Sequence, residues 1–178
     1  MPAVVISGRI TYKGGSQGTT IVAQNIGVAT EKSAIEASAS AENFGAKSLS
    51  AKILIRRLAR EDLMALVPSL PLRASDINGE IDVGGRSDNI NSHLALSFDQ
   101  AHILGNGSLR LTSQPFTYDV DASLQNFDTA MINAGSKSLN GTVDATIKGS
   151  GTGSGIAKFN GTSTLQGHDL SVAGQSFG

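Results

Sequence analysis

The chain of 178 residues contains no cysteine and no tryptophan, and aromatic residues make up only 4% of it. Without cysteine there can be no disulfide, no thiol chemistry and no cysteine-ligated metal site. The aromatic content is lower than a compact globular core of this size usually needs, so any apolar surface is filled mainly by small and aliphatic side chains. No apolar run approaches the ~20 residues that a helix needs to cross a bilayer.

The N-terminus also lacks the charged and apolar regions of a secretory signal peptide. The sequence opens directly in a predicted strand and ends in another, so we expect an internal segment of a longer protein. The formal net charge is −1, and nothing therefore indicates binding to nucleic acid or to an anionic membrane surface.

Catalytic and metal-binding patterns are missing as well. His93, His102 and His168 do not have the spacing of metal ligands, and we expect them to be ordinary surface histidines. The glycine-rich run 149–155 lacks the GK[ST] ending of a phosphate-binding loop, so it predicts a flexible loop. No serine lies in a GxSxG context. The sequence therefore predicts neither an enzyme nor a cofactor.

What the chain does have is glycine, 21 residues of it, and strict alternation of apolar and polar residues. The clearest stretch is Ile77–Val83, in which odd positions are apolar or glycine and even positions are Asn, Glu and Asp. This period of two predicts a strand with one apolar and one polar side. The stretch Leu139–Ala145 repeats it 62 residues later. Asp82 and Asp144 occupy equivalent polar positions, and we expect a solvated strand face there rather than paired acid–base groups.

Similar alternation covers most of the chain, which predicts an antiparallel all-β fold. Residues 33–42 fit either a strand or a helix, and the alternation favours the strand. One helix is predicted at residues 59–67, where acidic residues suit the N-terminus and Pro68 stops it. Residues 127–134 predict a short helical turn in the corresponding place of the second repeat. Asn-Gly pairs inside the alternation indicate bulges, bends or close backbone approach, whereas Asn106-Gly107 also fits a turn.

The continuous apolar face allows three architectures. It could fill a sandwich, stack inward as a solenoid, or line the groove of a curled, open sheet. The small side chains on this face favour the open sheet. A groove for acyl chains is physically sensible, because each methylene exposed to water costs ~0.8 kcal/mol. The predicted groove lining is Leu49, Ile53, Ile55, Ile77, Ile81, Val83, Leu94, Leu96, Phe98, Leu109, Leu111, Val120, Leu124, Leu139, Val143, Ile147, Phe159 and Leu165.

Three segments resemble the AsmA/TamB superfamily. The stretch from the predicted helix through Pro68-Ser69-Leu70-Pro71 into Ile77–Gly85 resembles its helix–proline–"l-x-G-x-l-x-v-x-G" unit, and Leu139–Gly149 resembles it again. Residues 159–170 are similar to the ending "LnGt–l–dG–l" of AsmA-type sequences. The resemblance covers roughly residues 49–174. The sequence departs from the family pattern in that the N-terminal membrane anchor of the family is not recognised in it.

The resemblance implies a periplasmic localisation in a Gram-negative bacterium, within a long protein anchored in the inner membrane. It implies a curled β-sheet trough that conducts phospholipid to the outer membrane, with phospholipid as ligand. It also implies, for the TamB branch, an outer-membrane barrel protein as partner. No catalytic residue is carried over.

The prediction is therefore an all-β, elongated, curled antiparallel sheet, forming an open trough over residues 1–178, with loose repeats at 49–111 and 116–174 and one short amphipathic helix. The alternative is a structural or adhesive β-repeat or β-solenoid domain of a secreted protein, with a closed core and no ligand.

Overall fold

A computed structural model describes residues 3–15, 18–42, 48–67, 76–86, 88–112, 115–131, 139–153, 159–172 and 175–177. Eleven strands form one sheet in which every strand pairs antiparallel with its neighbours in sequence. Among the strands of the described residues, the order is a simple meander with no crossover. The elements are β1 (Val5–Gly15), β2 (Gly18–Ala29), β3 (Ala34–Glu42), β4 (Ser48–Ala59), α1 (Arg60–Leu66), β5 (Asp76–Arg86), β6 (Asn89–Phe98), β7 (Ala101–Arg110), β8 (Thr117–Asp128), a 3-10 turn (Thr129–Met131), β9 (Leu139–Thr152), β10 (Phe159–Val172) and β11 (Gln175–Phe177).

The predicted all-β class, the antiparallel open sheet and the short helix are confirmed, and residues 34–42 form a strand rather than a helix. The predicted curl is wrong, because the sheet is open and uncurled. The reason lies in the Asn-Gly glycines. Gly79 stays in the ladder, paired with Ile55 and Leu96, and its missing side chain admits the backbone of β6 rather than bending the sheet.

Two predicted loops are also shorter than expected. We expect from the sequence a loop at residues 84–89, but Gly84–Arg86 continue β5 and Asn89 already begins β6. The glycine-rich run predicts a flexible loop from Gly149, whereas β9 extends to Thr152. Both segments are held by ladder pairing with their neighbours. Residues 154–155 of that run lie outside the described residues.

The register separates the sheet into two sides. We call the side that carries Ile77, Ile81 and Val83, with the residues in register with them, the apolar face. The opposite side, which carries Glu80 and Asp82, is the polar face. Cross-strand partners in an antiparallel sheet share a face, so the pairing assigns each strand residue to one side or the other.

Four of the even-numbered strands, β2, β4, β8 and β10, carry one extra residue near their C-terminal ends. Asn25, Asn126 and Asp169 have positive φ angles at these bulges. Even-numbered strands all run in the same direction, so the bulges lie along one edge of the sheet. The helix α1 and the 3-10 turn follow β4 and β8 at the same edge, which we call the helical edge.

The helical edge holds the small hydrophobic core of the described residues. Phe98, Ala101 and Met131 are buried together, and Ile77, Ile103, Leu124 and Phe127 pack against them. The rings of Phe98 and Phe127 meet edge-to-face with centroids 6.2 Å apart. Met131 comes from the 3-10 turn, so this turn covers the end of the apolar face. The sequence predicts a helical turn at residues 127–134; Phe127 and Asp128 instead belong to β8, and residues 132–134 lie outside the described part.

The helix α1 is fixed by polar contacts to the β2–β3 turn. The Asp62 carboxylate accepts hydrogen bonds from the hydroxyls of Thr30 and Ser33, both at 2.5 Å. The Ser33 hydroxyl oxygen also accepts a hydrogen bond from the backbone N–H of Ala59 at 2.9 Å. A seven-residue helix is not stable alone, so these contacts and its packing on β4 hold it.

The accessible surface of 11739 Å² is large for the mass of 18.3 kDa. A compact monomer of this mass exposes about 8,100 Å². The excess of roughly 3,600 Å² fits a single layer that exposes both of its faces. Among the described residues no large side chain is fully buried, and none of the described helices is long and apolar enough to cross a membrane.

Candidate functional site: an apolar face across ten strands

One row of cross-strand partners crosses the sheet from β1 to β10 without a polar residue. Each member pairs with the next through the ladder, in the order Ile6, Val28, Ile35, Ile55, Gly79, Leu96, Ile103, Leu124, Ala145 and Leu165. Neighbouring strands lie ~4.8 Å apart. The nine steps between ten strands therefore give a hydrophobic path of about 43 Å, which we call the central row.

Parallel rows on the same face widen this path. One runs from Ile26 through Ile53, Ile81 and Leu94 to Ile147, and ends at Ser163. Another row crosses the sheet from β1 to β10 at the edge opposite the helical edge. Its members are Tyr12, Ile21, Ala41, Leu49, Gly85, Ile90, Leu109, Tyr118, Gly151 and Phe159. The apolar face is thus several side chains wide.

The apolar face is uncovered over most of its area. Its buried side chains lie at the helical edge, Gly151 at the opposite edge is buried against the Tyr118 ring, and Leu165 in the central row is 74% exposed. An open hollow of about 390 Å³ lies on it, lined on this side by Ile103, Leu124, Ala145 and Ile147. Within the described residues, the 3-10 turn is the element that packs onto this face.

The register places the predicted groove residues on the apolar face, with two exceptions. Leu111 follows β7 outside the paired ladder and is exposed, and its backbone N–H donates to the Asp88 carbonyl oxygen. The backbone of Leu139 pairs with Val172, but its side chain lies outside the described residues. The residues that share the face are Leu49, Ile53, Ile55, Ile77, Ile81, Val83, Leu94, Leu96, Phe98, Leu109, Val120, Leu124, Val143, Ile147, Phe159 and Leu165.

The predicted groove lining begins at Leu49 and omits the part of the face that lies on β1–β3. Ile6, Val28 and Ile35 extend the central row across these strands. A signal for this extension exists. The segment Ile6-Ser7-Gly8-Arg9-Ile10 has the same pattern as Ile77–Ile81, with serine in place of asparagine. Gly8 and Gly79 share a φ of 147°, so β1 is a third copy of the repeated strand.

Glycine is required at Gly79. A Cβ atom there would lie 2.0 Å from the Ala95 carbonyl oxygen and 2.8 Å from the Leu96 Cα, and the φ angle is disfavoured for other residues. The absence of a side chain at Gly79 lets the backbone of β6 lie close to β5, at the step of the central row from Gly79 to Leu96. Gly105, on the same face, is different, because its Cβ would meet Leu94 and Ala122 at ordinary contact distances.

The polar face is held by exposed ion pairs between neighbouring strands. The Lys52 ammonium lies 2.8 Å from Glu80 and 3.5 Å from Asp82, and Lys148 lies 2.8 Å from Asp121. The hydrogen bond from Lys52 lowers the pKa of Glu80, and the same contact raises the pKa of Lys52. Exposed pairs of this kind contribute little stability each. These charged side chains keep the polar face of the sheet in contact with water.

Asp144 has a structural contact that the sequence did not indicate. Its carboxylate accepts a hydrogen bond from the backbone N–H of Asn126 at 2.7 Å, which satisfies a donor that the β8 bulge removes from the ladder. It also lies 3.4 Å from His168. His93 bonds to Asn106 and His102 to Ser97, all on the polar face. No group of potential metal ligands occurs in the part of the chain that the structure describes.

Comparisons with protein-family models, curated proteins and solved structures found no match to this chain.

Proposed function

We propose that this chain is a segment of an AsmA/TamB-like periplasmic protein and that its apolar face carries phospholipid acyl chains between the inner and outer membranes. The observation that supports this proposal is the central row, an apolar path of about 43 Å that lies open to solvent across ten strands. Such a protein would be anchored in the inner membrane, and an outer-membrane barrel protein would be its second partner.

The energetics fit an acyl ligand. Exposing a ~14-carbon chain to water costs ~11 kcal/mol at ~0.8 kcal/mol per methylene. A path in which every successive strand presents an aliphatic side chain, alanine or glycine removes much of that cost at every position along it. Because adjacent sites are chemically alike, a chain can move from one strand to the next without a large barrier. Glycerol and phosphate would remain at the rim, in water.

The openness of the face favours this function over a closed-core structural or adhesive domain. A closed core would bury the apolar side chains of the sheet, whereas in the described residues the buried apolar side chains on this face are those of Phe98, Ala101 and Met131. The uncurled sheet means that the proposed ligand lies on an open face rather than inside a trough.

Photo-crosslinking tests the proposal. A photoreactive amino acid at Leu96 lies in the central row, and one at Leu104 lies on the polar face of the next strand. Leu104 is a matched control because it is also a leucine and is 44% exposed. With vesicles of phosphatidylethanolamine and phosphatidylglycerol, we expect phospholipid adducts at position 96 and few at position 104. Equal labelling at both positions, or none at either, would contradict the proposal.

A further inference from the structure

The apolar face ends differently at the two edges where the strands turn. At the helical edge, Phe98 and Met131 are buried and the 3-10 turn packs onto the face. At the opposite edge lies the row that contains Tyr12, Tyr118 and Phe159, and we call this the tyrosine edge. A ligand on the face therefore meets a cover at one edge and aromatic side chains at the other.

Both tyrosines of the chain lie in the row at the tyrosine edge. Tyrosine is favoured at boundaries between lipid and water, because its ring is apolar while its hydroxyl group stays in water. Tyr12 is 68% exposed, and the ring of Tyr118 covers Gly151. The rings that meet at the helical edge belong to Phe98 and Phe127 and carry no hydroxyl group. This difference places the boundary between lipid and water at the tyrosine edge.

The charge of the sheet from β5 to β10 also differs between the two edges. Asp99, Asp128 and Asp169 lie at the helical edge, and the described residues of these strands carry no lysine or arginine there. Arg86 and Arg110 are the last residues of β5 and β7, at the tyrosine edge. A phosphate group is therefore disfavoured at the helical edge and has cationic partners at the tyrosine edge.

The two arginines lie on either side of β6, so their strands are about 10 Å apart. Their side chains are 71% and 61% exposed, and each is long enough to reach around the end of its strand. Asp88 lies 3.4 Å from Arg86, and Asp119 lies 3.8 Å from Arg110. Exposed ion pairs of this kind contribute little stability, whereas a guanidinium group can bind phosphate through two parallel hydrogen bonds. Both side chains can therefore turn to a phosphate at small cost.

The distance between the two edges fits an acyl chain that lies along the strands. In β6, the uncovered apolar side chains extend from Leu96, beside the buried end of the face, to Ile90 at the tyrosine edge. These six residue steps (96 − 90) give about 20 Å at ~3.4 Å per residue. The acyl chains of one leaflet extend over about 15 Å, half of the hydrocarbon core of a bilayer. A lipid lying along the central row would instead leave its phosphate among side chains that offer no hydrogen-bond donor.

We propose that phospholipid lies along the strands of the apolar face, with its phosphate bound at the tyrosine edge by Arg86, Arg110 and Tyr118. The methyl ends of its acyl chains lie toward the helical edge. This inference rests on the proposed function and adds to it an orientation of the ligand and a site for an anionic headgroup. Because the central row runs across the strands, a lipid that moves along it keeps its phosphate at the same edge.

Tryptophan fluorescence measures the orientation, since the natural chain has no tryptophan. Ile90→Trp reports on the tyrosine edge, and Leu96→Trp reports on the same strand nearer the helical edge. The probes are vesicles of phospholipid with bromine either close to the ester or close to the methyl end of the acyl chains. We expect bromine near the ester to quench position 90 more strongly than position 96, and bromine near the methyl end to show the reverse. Leu109→Trp and Ile103→Trp repeat the comparison on β7, and circular dichroism checks that each variant is folded.

Charge variants test the phosphate site. Arg86→Glu and Arg110→Glu should each weaken binding of a short-chain phosphatidylglycerol about ten-fold in calorimetric titrations, because hydrogen bonds from a guanidinium group to phosphate are charge-assisted. Arg60→Glu makes an equal charge change at the exposed start of α1, at the helical edge, and should leave this affinity unchanged. A short-chain diacylglycerol has no phosphate, so all three variants should bind it as the parent chain does.

The outcomes separate this inference from the proposed function. Reversed quenching, or equal quenching of the two positions by both lipids, would overturn the orientation while acyl binding stands. Unchanged affinity for phosphatidylglycerol in the variants at positions 86 and 110, an equal loss in Arg60→Glu, or an equal loss for diacylglycerol would overturn the phosphate site. Absence of quenching at every position would reject the proposed function and this inference together.

Discussion

Replacing Gly79 with alanine should destabilise the fold strongly, because a Cβ atom at this position would collide with the backbone of β6. Its φ of 147° is disfavoured for any residue with a Cβ. The added methyl group would lie 2.0 Å from the Ala95 carbonyl oxygen and 2.8 Å from the Leu96 Cα. Both contacts are to backbone, so no side-chain rotation relieves them, and the central row of β5 and β6 must separate.

The magnitude follows from two terms. A residue forced into a disfavoured backbone region costs of order 1–3 kcal/mol, and overpacking against neighbours costs typically 1–3 kcal/mol more. We therefore expect Gly79→Ala to lower the free energy of unfolding by about 3 kcal/mol. In a chain of this length, that corresponds to a melting temperature lower by roughly 6–12 °C.

Gly105→Ala is the matched control on the same face. Its Cβ would contact Leu94 and Ala122 at 3.7 and 3.8 Å, and its backbone needs no positive φ. Alanine there restricts the unfolded chain and should raise stability by about 0.4–1 kcal/mol. Urea and thermal unfolding followed by far-UV circular dichroism measure both variants. If Gly79→Ala is as stable as the parent chain, or if both substitutions lower the stability equally, the predicted collision between the added Cβ at position 79 and the backbone of β6 is wrong.

Two further predictions concern the apolar face and the helical edge. Ile81→Asp should weaken binding of the chain to phospholipid vesicles about fifty-fold, because it removes the equivalent of about three buried methylenes from the contact with lipid. Leu104→Asp, on the polar face, should leave vesicle binding unchanged when both variants are measured in flotation assays. An equal loss of binding in the two variants would contradict a ligand surface on one side of the sheet. Hydrogen bonds from Ser33 and then Thr30 lower the pKa of Asp62, so this carboxylate stabilises the fold above the ordinary aspartate pKa of about 3.9, and the contribution is lost as pH falls through the lower folded value. NMR titration should show Asp62 moving back toward its ordinary pKa in Ser33→Ala, and an unchanged titration would rule out the contact.

Much of the fold could be predicted from alternation, because residues that keep one parity along a strand keep one face of the sheet. Ile77, Ile81 and Val83 obey this rule along the whole of β5. The rule fails at bulges. In β2, Ile21 and Ala23 share the apolar face with Ile26, since the extra residue at the bulge changes the parity between them.

The same change of parity brings Phe127 onto the apolar face of β8. Asn25 and Asn126, at these two bulges, adopt positive φ angles, and an asparagine within the alternation is the signal that sequence reasoning could have used. The curl could not be predicted correctly from glycines alone. A strand glycine permits either a bend or a close approach, and the sequence does not contain the position of the Ala95 carbonyl that decides between them.

The most direct test of the account is fluorescence quenching by lipid. Because the chain has no tryptophan, a tryptophan introduced by Leu96→Trp reports on the central row alone, and one introduced by Leu104→Trp reports on the polar face. With phospholipids brominated along their acyl chains, we expect strong quenching of the tryptophan at position 96 and little at position 104. Equal quenching at the two positions, or none at position 96, would contradict the claim that the apolar face carries acyl chains.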